Sequence, residues 1–145
     1  MVEGKARTRT QQQGVPMEGL KVLLIDDETE FVTTLAERLE LRGFDVRTAE
    51  DGEAGLRMVQ EREPQVVVLD LRMPGLGGME VLDRLHRGHA SIPVILLTGM
   101  GSTREGIEGM QRGAFDFMIK PVDIDALLAK IGEAVEGRAG GEPGR

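Results

Sequence analysis

The stretch QVVVLDLRMPGLGG at residues 65–78 decides the fold. Its first part, Gln65 to Asp70, is apolar almost throughout rather than alternating, the pattern of a strand covered on both faces. Its second part holds Pro74, Gly75, Gly77 and Gly78. These read as turn residues rather than a phosphate-cradling loop, because no P-loop lysine pattern accompanies them. Asp70 stands where the strand gives way to the turn.

Working outward, the same kind of run appears at residues 21–26 (KVLLID) and 92–97 (IPVILL), with two further strands predicted at 45–49 and 115–119. The run at 45–49 alternates and reads as an edge, and Pro93 is tolerable at the start of the fourth strand. Amphipathic stretches lie between the runs. Phe31, Leu35 and Leu39 recur at spacing four, and Gly43 stops that helix where a left-handed residue is wanted. Further helices are predicted near 53–62, 79–87, 103–112 and 124–135. Gly106 and Gly109 each cost the fourth about 1 kcal/mol against Ala, so it is expected to be the loosest. Strands alternating with helices predict an α/β domain, a doubly wound parallel sheet with helices on both faces.

Residues 1–19 and 137–145 are polar or Gly-rich and aperiodic, and both are read as flexible tails around one domain at 20–136. The chain has 25 acidic and 18 basic residues, a formal charge of −7. That sign disfavours direct binding to nucleic acid or anionic lipid. With no Trp, no Tyr and four Phe, stacking platforms for single strands are missing too. There is no cysteine, no apolar run of membrane-spanning length and no secretory signal, so a cytoplasmic protein is expected.

Function in such a sheet gathers at the carboxyl ends of the strands. The first strand ends in Asp26 and Asp27, the third in Asp70, the fourth in Thr98 and the fifth in Lys120. Right-handed crossovers bring those ends to one edge. Three carboxylates that close repel one another unless a cation or protons hold them together. Oxygen ligands with open positions suit Mg²⁺ (or Mn²⁺) better than Zn²⁺, and no metal role is expected for His86 or His89. Blander readings exist for each residue. Asp27 with Glu30 fits a capping box, Asp70 fits a turn-forming Asx, Thr98 fits a strand-end hydroxyl on nearby backbone, and Lys120 fits a solvated charge.

Four motifs in order, IDDE at 25–28, VVVLDLRMPGLGGMEVL at 66–82, LLTG at 96–99 and FMIKP at 117–121, resemble the receiver domains of two-component response regulators. The resemblance covers roughly residues 20–135 and implies strand order 2-1-3-4-5. It implies that Asp70 accepts a phosphoryl group from a phosphohistidine, on a sensor histidine kinase or a histidine phosphotransfer protein. Asp26, Asp27, Asp70 and the backbone carbonyl of Arg72 would hold the metal, Lys120 would supply a cation, and Thr98 a hydroxyl. The Lys120–Pro121 peptide resembles the family's cis bond. Thr98 and Phe117 would form the switch, read out on the fourth helix, fifth strand and fifth helix.

By the same resemblance Arg72 and Met100 flank the path of the hydrolytic water. Neither orients water well, so slow self-dephosphorylation is expected. The domain would be a phosphoacceptor switch rather than an enzyme, a monomer with phosphorylation-dependent dimerisation left open. A stand-alone receiver is favoured over a fragment of a larger regulator or a phosphorelay intermediate, and the downstream target is unknown. Two rivals share the topology. A metal-dependent phosphohydrolase of the haloacid dehalogenase type wants Asp-x-Asp where this chain reads Asp26, Asp27, Glu28. A flavodoxin-like cofactor binder needs a phosphate cradle that this acidic loop would repel.

Overall fold

The computed structural model describes residues 17–140. Five strands, β1 (Lys21–Ile25), β2 (Asp45–Ala49), β3 (Val66–Asp70), β4 (Val94–Thr98) and β5 (Asp116–Ile119), alternate with five helices. The helices are α1 (Thr29–Leu41), α2 (Gly52–Glu61), α3 (Gly78–Gly88), α4 (Thr103–Gln111) and α5 (Ile124–Gly140). The strands form one sheet in the order β2-β1-β3-β4-β5, every pair parallel. Both the doubly wound class and the strand order therefore match expectation.

The period-two rule of strands divides the core between the two faces. Val22, Leu24, Val66, Val68, Ile95 and Leu97 face Leu35 and Leu39 of α1 and Leu127 and Ile131 of α5. Leu23, Ile25, Val67, Leu69 and Leu96 face Val59 of α2 and Val81, Leu82 and Leu85 of α3. Each such side chain, fully buried, contributes about 1.5–3 kcal/mol relative to exposure. This two-sided burial is why β1, β3 and β4 lack alternation. β2, at the edge, leaves Asp45 and Thr48 exposed.

Ends of elements moved where backbone chemistry required it. Pro93 has no N–H to give, and β4 starts after it, at Val94. Gly43 adopts φ +92° and ends α1 as expected. Glu28 occupies the N-cap position of α1 with no side-chain capping bond, so the capping box read from Asp27 and Glu30 does not form.

Two stretches assigned to tails belong to the folded unit. Residues 17–19 make a turn in which Met17 packs on the core and the Gly19 N–H donates to the Gly43 carbonyl at 2.7 Å. The helix α5 continues past Val135 to Gly140. An apolar Met17 explains the first, and the helix simply propagates through Gly137 in the second. The rest of both predicted tails lies outside the described residues.

Candidate functional site

Register fixes which residues meet at the sheet's carboxyl edge. Ile25 pairs with Leu69, Asp70 with Leu97, and Thr98 with Ile119, so the residues that follow β1, β3, β4 and β5 share one end. Asp27, Glu28, Asp70, Arg72, Gly99 and Lys120 line an open depression of about 300 Å³ there. Beneath Asp70, Gly78 lets the start of α3 close on the strand end. A Cβ at that glycine would stand 2.5 Å from the Asp70 carbonyl oxygen and 2.6 Å from Leu71 Cα, which no side chain tolerates.

Asp26 is 2% exposed. Its Oδ1 accepts the Glu28 N–H at 2.9 Å, a local turn that sets the path from β1 into α1. Its Oδ2 is buried and accepts no hydrogen bond, although Lys120 Nζ lies 2.9 Å away, so that contact is chiefly Coulombic. Burial raises the Asp26 pKa above the ordinary carboxylate value, against the opposing pull of the Glu28 N–H and Lys120.

Asp70 is 5% exposed, its Oδ1 accepting a long bond from the Arg72 N–H at 3.4 Å and standing 3.7 Å from Lys120 Nζ. Burial first, and the Asp26 charge second, push its pKa up to about 6 despite Lys120. One oxygen from each of Asp26, Asp27 and Asp70 lies within 4.8 Å of the others. The sequence thus named three acids that the fold gathers.

Lys120 follows β5 through a cis Lys120–Pro121 bond, and its N–H donates to the Thr98 carbonyl at 2.7 Å. Burial alone would lower its pKa. The hydrogen bond to Glu28, the close ion pair with Asp26 and the charge of Asp70 overcome that, and the pKa is raised. Two of its neighbours were not anticipated as site residues. The ammonium pairs closely with the Glu28 carboxylate and lies 4.4 Å from the Phe31 ring centroid. Phe31 had been assigned to the apolar face of α1, where it also packs.

Thr98 is fully buried, and its hydroxyl donates to the Met118 carbonyl at 3.4 Å. In this arrangement it takes the strand-end role and does not line the depression. Phe117 is half-buried with its ring against Gly106 of α4. The Arg72 guanidinium turns away from the acids to Ser102 Oγ, 3.2 Å, and the Glu105 carboxylate, 3.3 Å, at the start of α4. Met100 is 80% exposed beside Gly99. His89 faces Glu63 at 3.3 Å, away from the acidic group.

The donor set fits a hard divalent cation. It offers carboxylate oxygens, no thiol and no imidazole, it includes a buried oxygen without a hydrogen bond, and burial raises the pKa of both Asp26 and Asp70, the mark of charge that calls for a neutralising cation. Among the described residues no helix is long and apolar enough to cross a membrane.

The response regulator receiver domain model matches residues 22–132. The chain is 44% identical over 119 residues to the C4-dicarboxylate transport transcriptional regulatory protein DctD of Pseudomonas aeruginosa, a match covering 81% of this chain and 26% of that protein. It is 38% identical over 115 residues to the transcriptional regulatory protein GlrR of Escherichia coli K12, covering 79% and 26%. A response regulator receiver domain from Clostridium thermocellum superposes with a TM-score of 0.79 at 34% identity, covering 83% of this chain and 97% of that one. The chain spans about a quarter of the length of these two curated relatives. With the sheet order, the acidic edge and these likenesses together, the chain belongs to the response regulator receiver domain family.

Proposed function

We propose that the domain accepts a phosphoryl group on Asp70 from a phosphohistidine of a sensor histidine kinase or histidine phosphotransfer protein, in the cytoplasm, and acts as a switch rather than an enzyme. One observation carries this reading. A buried carboxylate at the end of β3 sits with two further acids and a lysine in an opening wide enough for a phosphoryl group. Asp26, Asp27, Asp70 and the Arg72 carbonyl would hold Mg²⁺ or Mn²⁺. When bound, the ion supplies positive charge that offsets the repulsion between the carboxylates and an anionic phosphoryl group.

In the transfer, an Asp70 carboxylate oxygen forms a bond to phosphorus as the bond from phosphorus to the donor imidazole nitrogen breaks, and the imidazole departs with its electron pair. Lys120 balances charge on the transferred oxygens. Thr98 is within the same strand edge. Rotating its hydroxyl from the Met118 carbonyl toward a phosphoryl oxygen would exchange a weak 3.4 Å bond for a charge-assisted one. The space behind Thr98 would then be open to Phe117, and α4 would follow because Phe117 rests on it.

The output remains a matter of partners. The named relatives are transcriptional regulators several times longer than the match, so a receiver unit of a larger regulator is a reading equal in standing to a stand-alone switch. Phosphotransfer profiling against candidate kinases tests the proposal. Rapid, selective labelling by one kinase, lost in Asp70→Asn, is expected; labelling that persists in Asp70→Asn would remove Asp70 from its role.

A further inference from the structure

Glu28 has no structural task that accounts for its side chain. It occupies the N-cap of α1, where Ser, Thr, Asp or Asn would bond to a free helix N–H, and it makes no such bond. Its backbone is already fixed, the N–H donating to Asp26 Oδ1 at 2.9 Å and the carbonyl accepting from Val32 N–H at 3.0 Å. The side chain instead crosses the opening to Lys120, a residue 92 positions away, and pairs with its ammonium. Glu28 is 60% exposed at its side chain and Lys120 only 16%, so the acid covers the lysine from the solvent side.

The other contacts of that ammonium are unequal. Asp26 Oδ2 is 2.9 Å away, Asp70 Oδ1 is 3.7 Å away, and the Phe31 ring centroid lies at 4.4 Å, on the α1 side. A cation over an aromatic face and against a carboxylate is held from two directions. The head of Lys120 is therefore drawn toward α1 and away from the phosphoacceptor.

We propose that Glu28 is a positioning residue that holds Lys120 off the phosphoryl position, so that an incoming phosphoryl group must compete with the Glu28 carboxylate for the ammonium. This rests on the assignment of Asp70 as phosphoacceptor. The pair is partly exposed, so its loss should alter a rate rather than the fold.

The test is phosphorylation by acetyl phosphate in saturating Mg²⁺, followed by mass spectrometry as a function of donor concentration. Glu28→Gln removes the charge, Glu28→Asp keeps it but shortens the reach, and Glu30→Gln removes an equal charge nearby that does not pair with Lys120. Glu28→Gln is expected to phosphorylate roughly three- to tenfold faster than wild type. Glu28→Asp should fall between the two, and Glu30→Gln should stay near wild type. Equal rates for Glu28→Gln and wild type, both labelled at Asp70, would overturn the inference and leave the phosphoacceptor assignment standing. So would equal acceleration in Glu28→Gln and Glu30→Gln, which would mean bulk charge alone. Failure of every variant and of wild type to label would instead remove the assignment of Asp70, and the inference with it.

Discussion

Gly106 of α4 and the ring of Phe117 on β5 pack so closely that no Cβ fits between them. Helix propensity alone favours Gly106→Ala by about 1 kcal/mol. Overpacking against a ring and the sheet beneath it costs about 1–3 kcal/mol. The second effect wins, and Gly106→Ala is expected to lower the urea midpoint. Gly137 of α5 has open space where its Cβ would go, and Gly137→Ala should be neutral or stabilising by up to about 1 kcal/mol. Gly106→Ala more stable than wild type would mean that the glycine serves looseness and nothing else.

Burial makes Asp70 a burden on the metal-free fold. Its pKa rises from 3.8 to about 6, so the folded state binds its proton more tightly than the unfolded one. Stability from this group is present below about pH 4, falls as pH rises through the window up to about 6, and stays reduced above it. Asp70→Asn removes the ionisation and should stabilise the metal-free protein at pH 7.5 by on the order of 2 kcal/mol, with a much smaller effect near pH 4. Urea melts at both pH values check this. Added Mg²⁺ should raise wild-type stability at pH 7.5 and raise Asp70→Asn less.

The hydroxyl of Thr98 is poised but poorly used. Its bond to the Met118 carbonyl is 3.4 Å long, so Thr98→Ala should cost no more than about 1–2 kcal/mol, largely the small cavity it leaves. Phosphorylation of Asp70 should still occur. What should vanish is the shift of Phe117 ring resonances and α4 amides on phosphorylation, measured by NMR. An intact shift in Thr98→Ala would take Thr98 out of the switch.

Phosphate lifetime should be long. Arg72 directs its guanidinium to Ser102 and Glu105, and Met100 is apolar and projects into solvent. Neither presents an acid or amide that orients water at the phosphorus. Decay of the labelled, purified domain is expected over many minutes or longer, and a half-life of seconds would contradict it.

Most of the fold and the acidic edge were legible because they depend on local patterns. Apolar runs without alternation announced β1, β3 and β4, and residues at strand ends become neighbours once the strands are parallel. Asp26, Asp27, Asp70 and Lys120 were therefore readable. What stayed hidden depends on where long side chains swing. Glu28 reaches Lys120 across 92 positions, and Arg72 spans to Glu105 rather than to the acids. No signal in the sequence pointed to the first, because the cap was read at Asp27 and Glu28 takes that position only in the structure. Gly106 and Gly109 read as weak points of a helix, whereas each lies where a side chain would strike Phe117 or Leu96. Propensity describes a helix alone, and packing distance appears only with the sheet beside it.

The acidic trio and Lys120 are held to be one pocket for a divalent ion and a phosphoryl group, and the most direct measurement is mass-spectrometric mapping after incubation with an acyl phosphate and Mg²⁺. A single phosphoryl adduct on the peptide bearing Asp70, dependent on the divalent ion and missing in Asp70→Asn, is the predicted result. No adduct at Asp70 under saturating donor and metal, in protein shown to be folded, would contradict the account.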